Sequence, residues 1–104
     1  MTINNLDIEE EQLREICKKY LIKELALFGS ALRKDFTENS DIDLLVEFMP
    51  DSGITIFNIV DLRDEFEKLF RRPVDLVSRS AIERSRNKYR KEEILKNTKV
   101  IYAA

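Results

Sequence analysis

The 104-residue chain contains no histidine and no tryptophan, and it has one cysteine, two glycines and two prolines. The missing histidines exclude Ser-His and Cys-His nucleophile pairs and the usual zinc sites within this chain. Any proton chemistry falls to carboxylates, lysines, tyrosines or water. A lone Cys17 forms no internal disulfide. With an N-terminus (Met1-Thr2-Ile3-Asn4-Asn5) that lacks the basic and apolar regions of a signal peptide, it points to a reducing cytoplasm. Apolar runs are only a few residues long, too short to span a membrane. No repeat, low-complexity tract or Pro/Gly/Ser-rich linker divides the chain, so one domain over residues 1–104 is expected.

What is present is charge. Residues 1–78 carry 10 Lys/Arg against 17 Asp/Glu, and residues 79–104 carry 8 against 3. The basic tail (Arg84, Arg86, Lys88, Arg90, Lys91) could bind phosphate or an acidic partner surface, but most of it reads as a solvated helix face. Direct nucleic-acid binding is disfavoured, because the rest of the chain is acidic.

Periodicity predicts a helix over about Ile8–Leu21, with glutamates in its first turn and lysines near its last. Strands are expected at Leu25–Phe28, Ile42–Met49 and Val74–Val77, and helices at Thr55–Phe70 and about Lys91–Asn97. Cys17, Phe57, Phe66 and Phe70 are expected in the core or at an interface, and Tyr89 and Tyr102 are expected to pack. The element order implies an α/β (α+β) layered fold with a small mixed sheet and flanking helices.

Asp41 and Asp43 begin the most apolar strand, two residues apart and therefore on one face. Two like charges this close raise one pKa unless a cation holds them. Magnesium, a hard cation that takes carboxylate oxygens and bridges to phosphates, fits that need. Asp75, a lone acid between Val74 and Leu76, joins the cluster if its strand lies alongside. Three carboxylates suffice for two ions, the arrangement that stabilises in-line displacement at phosphorus. Upstream, Gly29 allows close backbone approach to a ligand, Ser30 adds a donor at a turn suited to phosphate, and Arg33 can reach the same anion.

Gly29-Ser30, ten residues, Asp41-x-Asp43 and a later strand aspartate together resemble the signature of the polymerase-β-type nucleotidyltransferases. The segments LALFGSALRKDFTENSDIDLLVEF, RRPVDLVS and EEILKNTKVIYAA are similar to its minimal nucleotidyltransferase (MNT) branch, over nearly the whole chain. The resemblance implies a nucleotidyltransferase fold. It implies that Gly29 and Ser30 cradle a triphosphate, that Asp41 and Asp43 bind magnesium, and that Asp75 completes the metal site and helps activate a hydroxyl. It implies transfer of AMP from ATP to a hydroxyl. Members of the branch are often antitoxins paired with a HEPN-type ribonuclease toxin, some of which modify a toxin tyrosine. A hetero-oligomer with such a toxin is therefore expected. Leu32 and Lys34 depart from the best-known members, which carry a small residue and a glycine there. An antitoxin that neutralises its partner by binding alone, and nucleotide transfer to a small molecule or RNA, are the alternatives.

Overall fold

The computed structural model describes residues 1–4 and 6–104. The chain opens with two short antiparallel strands, β1 (Thr2–Ile3) and β2 (Leu6–Asp7). Helix α1 (Glu10–Lys19) has Glu10 and Glu11 in its first turn and Lys18 and Lys19 in its last, each opposing the local end of the helix dipole. Strand β3 (Ile22–Phe28) runs into a 3-10 turn over Gly29–Leu32, and β4 (Ile42–Phe48) follows. Helix α2 (Ile56–Phe70) begins at a reciprocal cap in which Thr55 Oγ1 accepts from the Asn58 amide while Asn58 Oδ1 accepts from the Thr55 amide. It stops at Arg71, whose φ of 58° is left-handed, two residues before Pro73. Strand β5 (Val74–Ser78), helices α3 (Arg79–Glu83) and α4 (Lys88–Lys96) and strand β6 (Thr98–Ala103) complete the chain.

Four strands form one mixed sheet in the order β5-β4-β3-β6, parallel only between β4 and β5. Alternation along β3 and β4 sends side chains to two separate apolar layers. Leu25, Leu27, Ile42, Leu44 and Val46 pack with Leu13 and Cys17 of α1 and Leu62, Phe66 and Phe70 of α2. Ala26, Phe28 and Leu45 face the other way, against Ile82 of α3 and Ile94 of α4. The Tyr20 hydroxyl donates to Glu65, and Lys19 pairs with the same carboxylate at 3.1 Å, tying α1 to α2.

The expected α/β layering is present, with α1, α2 and the three expected strands within a few residues of their sequence positions. Four elements went unforeseen: β1, β2, α3, and β6, which the apolar patch at Val100–Tyr102 marked only as a docking point. Each buries too little to leave a periodic signal; β6 fully buries Ile101 alone while Val100 stands exposed, as an edge strand allows. Phe57, expected in the core or at an interface, is 78% exposed and outside the core, and Tyr89, expected to pack, is 88% exposed, whereas Phe66 and Phe70 are core. No helix among the described residues is long and apolar enough to cross a membrane.

Phe66 is fully buried where α2 meets the sheet. Phe66→Ala is expected to cost about 3–5 kcal/mol, read as a lower urea midpoint without a change in slope.

Candidate active site

The parallel pairing of β4 with β5 sets Asp43 directly opposite Asp75, a register fixed at its start by the Ile42 amide donating to the Pro73 carbonyl at 2.9 Å. Asp43 alternates with Ile42 and Leu44, so it belongs to the face that α4 covers. On its other side Asp43 pairs with Phe28, the last residue of β3, and Gly29 comes next. Gly29 has a φ of +63°, and a Cβ there would lie 2.3 Å from Asp43 Oδ2. Glycine at 29 is thus required twice, by backbone angle and by the carboxylate against its Cα.

Ser30 turns toward the same group. Its amide donates to Asp43 Oδ2 at 3.3 Å, and its hydroxyl donates to the Asp41 carbonyl at 2.9 Å, with Asp43 Oδ2 a further 3.5 Å contact. Burial pushes the Asp43 carboxyl above the ordinary aspartate range, as do the nearby Asp75 and Asp41 charges; the two Ser30 donors oppose the rise.

Gly29, Arg33, Asp43 and Asp75 line one cavity of about 620 Å³, which they share with Arg90, Glu93, Lys96 and Asn97 from α4 and its end. Asp41 stands exposed just outside, before β4 begins, where its charge still bears on Asp43. The sequence-based site is therefore one cavity for four of its six residues, with Ser30 and Asp41 bracing its edge. Leu32, the larger residue beside Arg33, packs against the core.

Sequence reasoning missed the residues that hold this loop. Asn4 Nδ2 donates to the carbonyls of Ala31 and Arg33, at 3.0 and 2.7 Å. Arg72 lies over the Phe36 ring, 4.6 Å from its centroid, and donates to the Thr37 carbonyl at 2.7 Å. Neither residue sits in a motif. The α4 contribution did leave a signal: Ile94 is the apolar position from which Arg90 and Asn97 lie one turn away on either side. Arg90, read from sequence mainly as part of a solvated face, lines the cavity, while Lys88 and Lys91 lie outside it.

The carboxylates suit magnesium. All donors are hard oxygens, and Asp43 is a half-buried carboxylate facing two like charges, a cost that a divalent cation relieves. Among the described residues no group of three or more Asp, Glu, Cys or His side chains is placed to hold a metal ion. Magnesium asks for no such group, since it retains waters and shares its ligands with substrate phosphates.

A sequence profile for the nucleotidyltransferase domain matches residues 9–101. A Methanocaldococcus jannaschii chain provisionally named a protein adenylyltransferase is 39% identical over 88 residues, 85% of each chain. The protein adenylyltransferase MntA of Thermococcus cleftensis is 30% identical over 69 residues, 66% of this chain and 68% of its own. A solved structure provisionally described as a minimal nucleotidyltransferase superposes with a TM-score of 0.71 at 27% identity, over 95% of both chains. A chain from the complex of a tri-AMPylated Shewanella oneidensis HEPN toxin with an MNT antitoxin has the same fold, with a TM-score of 0.59 at 18% identity over 91% of this chain and 70% of that one.

The raised Asp43 pKa has a stability consequence. The native carboxyl holds its proton more tightly than the unfolded one, so stability falls as pH rises from the ordinary aspartate range through the native value. At neutral pH that cost is fully present. In chelator at pH 7, Asp43→Asn is therefore expected to melt higher than wild type, and the gap should close as pH drops below the ordinary aspartate pKa. Magnesium should raise the wild-type melting temperature and leave that of Asp43→Asn unchanged. Gly29→Ala is expected to cost about 1–2 kcal/mol from its backbone angle alone, measured by urea unfolding, and to abolish the magnesium response by displacing Asp43.

Proposed function

The chain belongs to the nucleotidyltransferase domain family, and from that premise we propose that it transfers AMP from ATP to a hydroxyl on a partner protein, a tyrosine of a HEPN-type toxin, and so acts as an antitoxin. The observation that carries the reading is the in-register Asp43–Asp75 pair facing one cavity with Gly29 and Arg33. The names of the curated relatives, protein adenylyltransferases, support AMP as the group moved and protein as the acceptor. The HEPN–MNT complex among the structures of like fold supports the partner class.

The acceptor oxygen attacks the α-phosphorus and forms a new P–O bond. The bond from that phosphorus to the α–β bridging oxygen breaks, and pyrophosphate leaves with the electron pair. Asp75, which accepts no hydrogen bond among the described residues, takes the hydroxyl proton. Gly29 leaves the backbone open to the phosphates, and the Ser30 amide and hydroxyl keep Asp43 aimed into the cavity. Arg33 meets the phosphate charge from the loop side. Asp41, Asp43 and Asp75 would hold two magnesium ions, which when bound offset phosphate charge and lower the acceptor hydroxyl pKa. With no histidine available, this route needs none.

Incubation with magnesium, ATP and a HEPN-type toxin encoded beside this chain tests the reading. Label at the α-phosphate should pass to a toxin tyrosine, while label at the γ-phosphate should leave in pyrophosphate. Asp43→Asn and Asp75→Asn should each slow transfer by about a hundred-fold or more. Transfer of γ-label, or equal α-transfer by the aspartate variants, would overturn it.

A further inference from the structure

The cavity holds both signs of charge without pairing them. Asp43 and Asp75 enter from the sheet and Glu93 from α4; Arg33 enters from the loop, and Arg90 and Lys96 from α4 and its C-terminal turn. Among the described residues none of these three cations belongs to an ion pair. Three carboxylates and three cations sharing about 620 Å³ of cavity would gain by collapsing onto one another, unless the backbone holds them apart.

Helix α4 is what holds them. Ile94 is buried against Ala26, Phe28 and Leu45, which fixes the rotation of α4 about its axis. Residues three and four apart share a helix face, so Arg90 and Asn97 flank Ile94 along the line that faces the sheet. Asn87 caps the helix by accepting from the Arg90 amide at 3.1 Å, which fixes the first turn that carries the Arg90 side chain. Immediately after α4 the chain pairs into the sheet, with Thr98 opposite Phe28, next to Gly29. Arg90 is thus set by structure on both sides, and Lys96 lines the same cavity as Asp43 and Asp75.

A ligand that fits must satisfy both walls. A polyphosphate does so: its oxygens take up the cations, and it brings divalent counter-ions that suit the carboxylates. We propose that Arg90 and Lys96 are positioning residues that grip the β- and γ-phosphates of the nucleoside triphosphate, and afterwards the pyrophosphate it releases. The inference rests on the nucleotidyltransferase reading of the same cavity and adds to it the helix that grips the leaving group. A chain bound only through Gly29 and the aspartates would hold AMP nearly as well as ATP; a cationic wall on α4 makes the outer phosphates the distinguishing contacts.

The test is binding, measured with fluorescent ribose-labelled ATP and AMP and with competing inorganic pyrophosphate, all with magnesium. Wild type should prefer ATP over AMP and should release ATP to pyrophosphate. Arg90→Ala/Lys96→Ala should weaken ATP and pyrophosphate by about ten-fold or more, with AMP affinity nearly unchanged. Lys88→Ala/Lys91→Ala removes the same charge from α4 outside the cavity and should shift ATP affinity less than about three-fold, which separates local contact from net charge. Arg90→Lys/Lys96→Arg should restore most of the preference for ATP. Melting curves for the Arg90 and Lys96 variants should match wild type, because both residues are exposed.

Equal loss of ATP and AMP in Arg90→Ala/Lys96→Ala, or equal effects of the two double variants, overturns the assignment to α4 and leaves the nucleotidyltransferase reading standing. Absence of ATP and pyrophosphate binding by wild type overturns both.

Discussion

A carboxylate oxygen of Asp43 occupies the place where any residue but glycine at position 29 would put its Cβ. That contact joins the end of β3 to the start of β4 and draws the Ser30 amide onto the same oxygen. It also explains how a charged side chain stands beside Ile42 and Leu44, both fully buried. The carboxylate is desolvated on the side of Gly29, given donors by Ser30 and left open toward the cavity. Half-satisfied burial of this kind costs stability, a cost that a cation would relieve.

The remaining parts of the site follow from the sheet. Parallel pairing of β4 with β5 makes Asp75 the direct neighbour of Asp43, and a one-residue slip would turn Asp75 to the opposite face. The register is held by the Pro73 carbonyl, and Glu67 of α2 accepts from the Val74 amide at 2.9 Å. Arg72, one residue earlier, reaches across to the loop before β4. The short segment Arg72–Val74 therefore sets the third aspartate and steadies the loop that carries the first.

How much of this is legible in the sequence depends on how locally each feature is encoded. Gly29-Ser30 and Asp41-x-Asp43 lie in one stretch with a strong apolar strand after them, and Asp75 stands out because Val74 and Leu76 leave it little reason to be there. Helices α1 and α2 bury whole stripes and show the corresponding period. Asn4 is invisible to that reasoning, because its partners are backbone carbonyls 27 and 29 residues away that any sequence could supply. Strand β6 is hidden because an edge strand with one fully buried side chain needs no alternation. Helix α4 leaves only a faint trace: its charged residues outnumber its apolar ones, and one isoleucine decides which of them face inward.

That dependence on Ile94 couples the site to a short helix with one buried residue. Helix α4 is only nine residues long, too short to be stable on its own. What keeps it in place is Ile94 on one side and the pairing of β6 along β3 immediately after it. Strand β3 therefore sets the site from two directions. Its C-terminal end delivers Gly29 to Asp43, and its pairing with β6 brings the cationic side of α4 over the same cavity. Loosening β6 would leave the aspartates where they are and withdraw Arg90 and Lys96. The acidic and basic halves of the cavity are thus held by different elements, and a single strand joins them.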